Sequence, residues 1–377
     1  MPQIPVLRII ESIGEIPALQ WNALAGSDPF LSHAYLSALQ ESGCATPETG
    51  WRAQFLTLWR GESLVGAMPL YLKSHSWGEF VFDWAWAEAY QRAGLAYYPK
   101  LLCAVPFTPV AGLRVLAATP ELRAELLRTA LRLAQEMGVS SLHCLFPPEA
   151  QAQEMQQQGM MLRQGVQFHW RNPGYADFDA YLAGMSHDKR KRIKQERRKV
   201  KAAGITFEQV TGSGITDAHW TFFERCYANT HRQYNSPQAL NLDFFRRIGA
   251  SMADNILLVV ALRDGQPIAS ALNFYRQEAL YGRSWGALEY HPGLHFEACY
   301  YQAIEFCIER KIPIFEGGAQ GEHKLSRGFL PETTWSAHWL AHPRFSQAVD
   351  DFLRRETRGM SFYMDELNER SPFRRSD

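Results

Sequence analysis

The sequence predicts a two-part mixed α/β protein with largely antiparallel sheets. Three observations support this. At 377 residues the chain is long for a single core, so two domains are expected. The order of predicted elements in the first half recurs in the second. And the two halves align hairpin on hairpin: residues 56–67, with the turn Arg60-Gly61-Glu62, match residues 259–270, with the turn Arg263-Asp264-Gly265-Gln266.

In the first half, residues 6–10 alternate as a strand, and 16–24 and 32–42 carry helical periodicity. Residues 53–59 and 64–72 form the hairpin. A helix over 120–137, a strand over 141–146, a helix over 149–159 and a strand over 164–171 follow. In the second half, 205–210 is a strand. Helices over 217–231 and 242–252 come next, the first opened by Thr216 as cap. Residues 256–262, 268–275 and 280–286 are strands. Residues 298–310 form a helix with Tyr301, Ile304, Cys307 and Ile308 turned inward. Strands at 312–315 and 333–340 and a helix over 346–367 close the chain. The predicted domains are therefore 1–175 and 205–377, with a linker over 176–204.

That linker holds the strongest charge run, from His187 to Lys201. Ser186 is placed to cap it, Asp188 suits its positive end and Gly204 ends it. Ile193 and Val200 give it a narrow apolar seam, so its other faces are cationic. It reads either as a solvated connector or as a surface for phosphates, held by Arg190, Arg197 and Arg198.

Composition bounds the function. The chain is 46% hydrophobic and 21% charged, with zero formal net charge, so a globally basic DNA binder is not indicated. No basic-then-apolar leader and no membrane-length apolar run are present, which points to the cytoplasm. The six scattered cysteines form no Cys-x-x-Cys and no zinc spacing, so no metal site is expected.

The most informative stretch is 312–329. A short apolar run stops at Glu316. Gly317, Gly318 and Gly321 follow, then Glu322, His323, Lys324 and Arg327. Glycines at a strand end admit tight turns and close approach. Titratable groups gathered there are a common way to build a site.

Together these segments resemble the FemAB-like group of predicted N-acyltransferases, in which a GNAT (acetyltransferase-like) unit is duplicated. The resemblance rests on Tyr98-Pro99-Lys100-Leu101 and Val105-Pro106-Phe107-Thr108-Pro109-Val110, and on Asp188-Lys189-Arg190-Lys191-Arg192 with Gln195-Glu196-Arg197-Arg198-Lys199 in the basic run. It rests further on His295-Phe296-Glu297-Ala298-Cys299-Tyr300-Tyr301-Gln302, and above all on Phe315 through Pro331. It implies two tandem GNAT-like domains joined by the basic helix. It also implies transfer of an acyl or aminoacyl group, from acyl-CoA or aminoacyl-tRNA, to a small-molecule or peptide amine, with no tightly bound cofactor. One departure weakens the acyl-CoA option. The place of the usual Gln/Arg-x-x-Gly-x-Gly/Ala pyrophosphate loop is taken by His291-Pro292-Gly293-Leu294-His295, with a single glycine.

Such a transfer needs a base for the amine and donors for the oxyanion. Glu316 and His323 are the candidates as base, with Glu297 behind them and Tyr300 as acid. His295, Lys324 and Arg327 would meet the donor, and Tyr98 and Lys100 the acceptor. The competing expectation is a noncatalytic module of the same fold that binds RNA or a cell-wall precursor.

Overall fold

A computed structural model describes residues 5–319 and 321–374. The chain divides into two compact units. One holds the chain up to Gly165 together with Thr333–Tyr363. The other holds Val166–Glu332 and the residues from Met364 onward. The basic helix belongs to the second unit.

The strands of the first unit are β1 (Val6–Ile10), β2 (Trp51–Ala53), β3 (Phe55–Arg60), β4 (Ser63–Met68), β5 (Leu70–Lys73), β6 (Lys100–Cys103), β7 (Leu116–Ala117) and β8 (Ser141–Leu145). β1, β3, β4 and β7 make an antiparallel sheet. β2, β5, β6 and β8 make a second, in which β6 and β8 run parallel. The helix Pro120–Glu136 connects back to β8 with its apolar face on this core: Leu126, Leu127, Ala130 and Ala134 are buried against Leu101, Leu142 and Met155. Its Thr119 cap accepts from the Leu122 N–H, and Pro120 occupies the first turn, where no N–H is needed.

β9 (Met161–Arg171) carries the chain into the second unit, whose strands are β10 (Ile205–Thr211), β11 (Ile256–Arg263), β12 (Gln266–Tyr275), β13 (Ala279–Ala287) and β14 (Ile314–Glu316). β15 (Leu330–Leu340) returns it, pairing through Ser336–Leu340 with β8. The strands of the second unit run antiparallel through β10, β11, β12 and β13, then parallel from β13 to β14, then antiparallel to β9. Asp264 and Gly265, both at positive φ, close the β11–β12 hairpin as their sequence predicts. Each unit thus ends its antiparallel run in one parallel pair, with a helix in the connection. This is the repeated order read from the sequence, and both units are mixed α/β.

β13 and β14 are bonded only from Ala279 to Tyr281; β13 then runs on to Ala287 paired with β12 only, while β14 stops at Glu316. The sheet therefore opens at the carboxyl ends of its two parallel strands, the usual location for a ligand crevice in open α/β sheets. The helix following β13 starts at Leu294, earlier than its apolar periodicity implies, because Gly293 adopts φ 89° and turns the chain at once. Its second turn, Glu297–Tyr301, is a π-helical turn before regular helix resumes over Gln302–Glu309. Such turns are frequent at functional sites.

Candidate functional site

The open end of the β13–β14 pair is lined from three segments. β13 contributes Trp285, the helix after it contributes His295 and Tyr300, and a 3-10 helix over Glu322–Arg327 contributes His323 and Lys324. Gly321 (φ 113°) and Gly328 (φ 81°) bracket that short helix, a backbone path side chains resist. Close packing also needs Gly317, where a Cβ would lie 2.9 Å from the Phe329 ring.

His323 is exposed, yet its Nε2 lies 3.2 Å from the hydroxyl of buried Tyr300. The rings of His295, Phe296 and Tyr300 surround it. Burial lowers the pKa of His323, and Lys324 and Arg327 lower it further, so the imidazole is neutral at pH 7. His295 is pushed down to about 4 by burial, with His323, Arg327 and Lys324 adding to it. Burial raises the Tyr300 phenol. Lys324 is 2% exposed, is lowered to about 8 by burial and donates to the Gly318 carbonyl at 2.8 Å. The cluster therefore offers a neutral base in contact with solvent, backed by a phenol and an ammonium that titrates close to neutrality.

Arg327 is not turned toward an open cleft. At 1% exposure its Nη2 meets both Glu196 oxygens at 3.0 Å, its Nη1 donates to the His323 carbonyl at 2.8 Å, and its guanidinium stands 3.4 Å from the Phe296 ring centroid. It fixes the turn that carries His323. Tyr301 also donates to Glu196. Tyr300, expected as the acid, is buried, as is Tyr301.

A second feature lies along the basic helix His187–Ala202, a cavity of about 1340 Å³ lined by Lys191, Lys194, Arg198, Lys201, Phe207 and Glu297 among others. Ile193 and Val200 are buried, as the narrow seam predicts, while Lys191, Arg198 and Lys201 are exposed. Ser186 precedes the helix without a side-chain cap bond. Arg197 departs from the expected phosphate contact: it forks onto Glu297 at 2.9 and 3.1 Å and reaches Glu305 at 2.8 Å. Glu297, 4% exposed, also accepts from Gln302 at 2.9 Å. Its carboxylate is thus engaged by a structural fork, which argues against a free base there. Glu297, Gln302 and Glu305 face the cavity, and Tyr300 faces His323, so cavity and cluster flank one helix about 10 Å thick.

Glu316 ends β14 with its Oε2 3.9 Å from His169 Nε2 on β9. Arg190 is half-buried near the start of the basic helix and does not line the cavity. Tyr98 and Lys100 belong to the first unit. Expected as acceptor contacts, they are instead engaged internally: Lys100, on β6, is fully buried and bonded to Glu79, Asp83 and Ser76, while Tyr98 bonds Ser76 at 2.8 Å. Sequence reasoning assigned no role to Trp285, Glu196 or Glu305. Trp285 carries a signal as an aromatic at the end of a strand, and Glu196 lies within the motif Gln195-Glu196-Arg197-Arg198-Lys199. Among the described residues no group of His, Cys, Asp and Glu has the arrangement of a metal site.

The pattern of the FemAB-like family, described as peptidoglycan biosynthesis/recognition, matches residues 12–375, and the chain belongs to that family. Solved structures of similar fold include FemX (TM-score 0.56, 11% identity, 89% of this chain and 98% of the other). Another is L-PGS from Bacillus licheniformis (0.52, 10%, 86% and 97%). The C-terminal domain of a proposed lysylphosphatidylglycerol synthetase from Agrobacterium fabrum also matches (0.55, 10%, 90% and 96%). The fold is the tandem GNAT-like arrangement. Comparison with curated protein sequences gives no match.

Proposed function

We propose that the second unit is an N-acyltransferase that moves an aminoacyl group from a charged tRNA to an amine. The observation that carries this reading is the exposed, neutral His323, hydrogen-bonded to Tyr300 where β13 outruns β14. In the proposed reaction His323 takes the proton of the attacking amine. The Tyr300 hydroxyl lies within reach of the same imidazole to pass a proton to the leaving oxygen. Lys324 adds positive potential where the carbonyl oxygen gains charge.

Two features favour tRNA over acyl-CoA as donor. The helix N-terminus that would hold a pyrophosphate has a single glycine, in His291-Pro292-Gly293-Leu294-His295. The exposed cations Lys191, Arg198 and Lys201 flank the large cavity along the adjoining helix and suit a row of phosphates. FemX and L-PGS share this fold, and transfer of an aminoacyl group is the chemistry common to such a reading. A melting screen of the full chain tests it. Charged tRNA should raise the melting temperature by mass action, with acyl-CoAs having little effect. A rise with acyl-CoAs and none with charged tRNA rejects the donor assignment.

A further inference from the structure

The first unit contains a loop whose polarity is inverted. Between residues 74 and 84, Ser76, Glu79 and Asp83 are each 4% exposed, while Trp77, Phe80, Phe82 and Trp84 are 55%, 42%, 55% and 41% exposed. Loops in contact with water place these residue types the other way round.

The inward half is tied to two buried lysines. Lys100 donates to Ser76 Oγ and Glu79 Oε2, each at 2.7 Å, and pairs with Asp83. Lys73 faces Lys100 across the β5–β6 register, donates to the Trp77 carbonyl at 3.3 Å and stands 3.5 Å from the Trp51 ring centroid. Like charges opposite one another in a sheet repel. The two carboxylates drawn inward offset that repulsion, and in doing so they turn the aromatic side chains outward.

The outward half is equally constrained. Phe80 adopts φ 64°, a region that bulky residues avoid. Gly78 is at φ 82° against Phe107, whose ring lies 2.5 Å from where a Cβ would stand. The Trp77 and Trp84 rings meet edge to face at 5.6 Å. These rings are exposed because the latch beneath holds them out.

We propose that the loop over residues 74–84 docks the protein on a lipid bilayer by inserting Trp77, Phe80, Phe82 and Trp84 into its interfacial zone. Two arguments select a lipid surface over a protein partner. Insertion into an apolar phase is opposed chiefly by charge, and the loop's only two carboxylates are already matched internally. Exposed Trp with Phe is the side-chain chemistry of the membrane interface, where ring bodies bury and polar edges stay wet. Among the described residues no helix is long and apolar enough to cross a membrane, so this attachment is peripheral. The inference is independent of the chemistry assigned to the second unit.

Flotation of the full chain with vesicles of phosphatidylcholine and phosphatidylglycerol tests the proposal. The protein should rise with the vesicles and stay bound at high salt, because insertion and not surface charge holds it. The double variant Trp77→Ser/Phe82→Ser should lower the partition coefficient roughly 100-fold, about tenfold per ring, at an unchanged melting temperature. Trp77→Phe/Trp84→Phe should keep the partitioning but lose most of the fluorescence quenching by brominated lipids, a readout that survives if the serine variant misfolds. Absence of flotation overturns the proposal, as does binding that salt removes or that neither variant alters. Self-association abolished by the same substitutions without flotation would likewise overturn it, making the loop a contact between copies.

Discussion

Replacing Glu196 by Gln tests whether the turn carrying His323 is held by a buried ion pair. Arg327 is 1% exposed and its guanidinium depends on Glu196 for two charge-assisted bonds at 3.0 Å. Removing one partner of a buried pair costs about 3–5 kcal/mol, because the remaining charge stays desolvated. Gln retains one acceptor oxygen and a place for the Tyr301 hydroxyl, and Glu196 is itself partly exposed, so the low end applies, about 3 kcal/mol. At about 2–4 °C per kcal/mol, melting should fall by roughly 6–12 °C. Arg327→Met combined with Glu196→Gln should recover at least half of that loss, since no unpaired charge is then buried. Circular dichroism melting of the two single variants and the double variant supplies the cycle. If Glu196→Gln melts within a degree of the unsubstituted chain, the pair does not hold the turn and the reasoning fails.

Acid should destabilise the fold. Burial is the largest cause lowering His143 to about 3 and His169 and His295 to about 4, so between their ordinary 6.5 and these values the unfolded chain binds protons that the folded chain does not. Stability is therefore full above about pH 6.5 and falls as pH drops toward 4. Urea midpoints across that range should show the decline, and His169→Gln should flatten it; a flat profile would refute the assignment. Lys191→Glu/Arg198→Glu/Lys201→Glu should weaken binding of charged tRNA and flatten its dependence on salt, read by filter binding. Unchanged affinity would return the helix to a purely structural role. Arg197→Glu, by contrast, should destabilise the second unit by about 3 kcal/mol through the carboxylates of Glu297 and Glu305, visible in denaturant unfolding whether or not tRNA binds.

The fold was legible where local signals were self-sufficient. The hairpin around Asp264-Gly265, the helix capped by Thr119 and the basic helix with its Ile193–Val200 seam all follow from turn chemistry and periodicity. It was illegible where distant residues decide. β6 is absent from the sequence reading because a strand that opens on Lys100 does not look like core; only Glu79 and Asp83, some twenty residues upstream in the chain, make a fully buried lysine tolerable. The helices Trp84–Arg92 and Phe178–Ala183 are too short to show a period among aromatic residues. At the site, the glycine-flanked segment announced His323 and Lys324, and the motif at 295–302 announced Tyr300. What sequence could not disclose is how the ion pairs sort. Arg197 and Arg327 read as phosphate ligands because their carboxylate partners lie about a hundred residues away.

The central claim is that His323 accepts a proton from an amine during acyl transfer. Single-turnover transfer from charged tRNA to an amine panel, with donor affinity measured alongside, tests it most directly. His323→Ala should slow transfer by about 10²–10⁴-fold while leaving the donor dissociation constant unchanged. Transfer by His323→Ala at the rate of the unsubstituted protein would contradict the account.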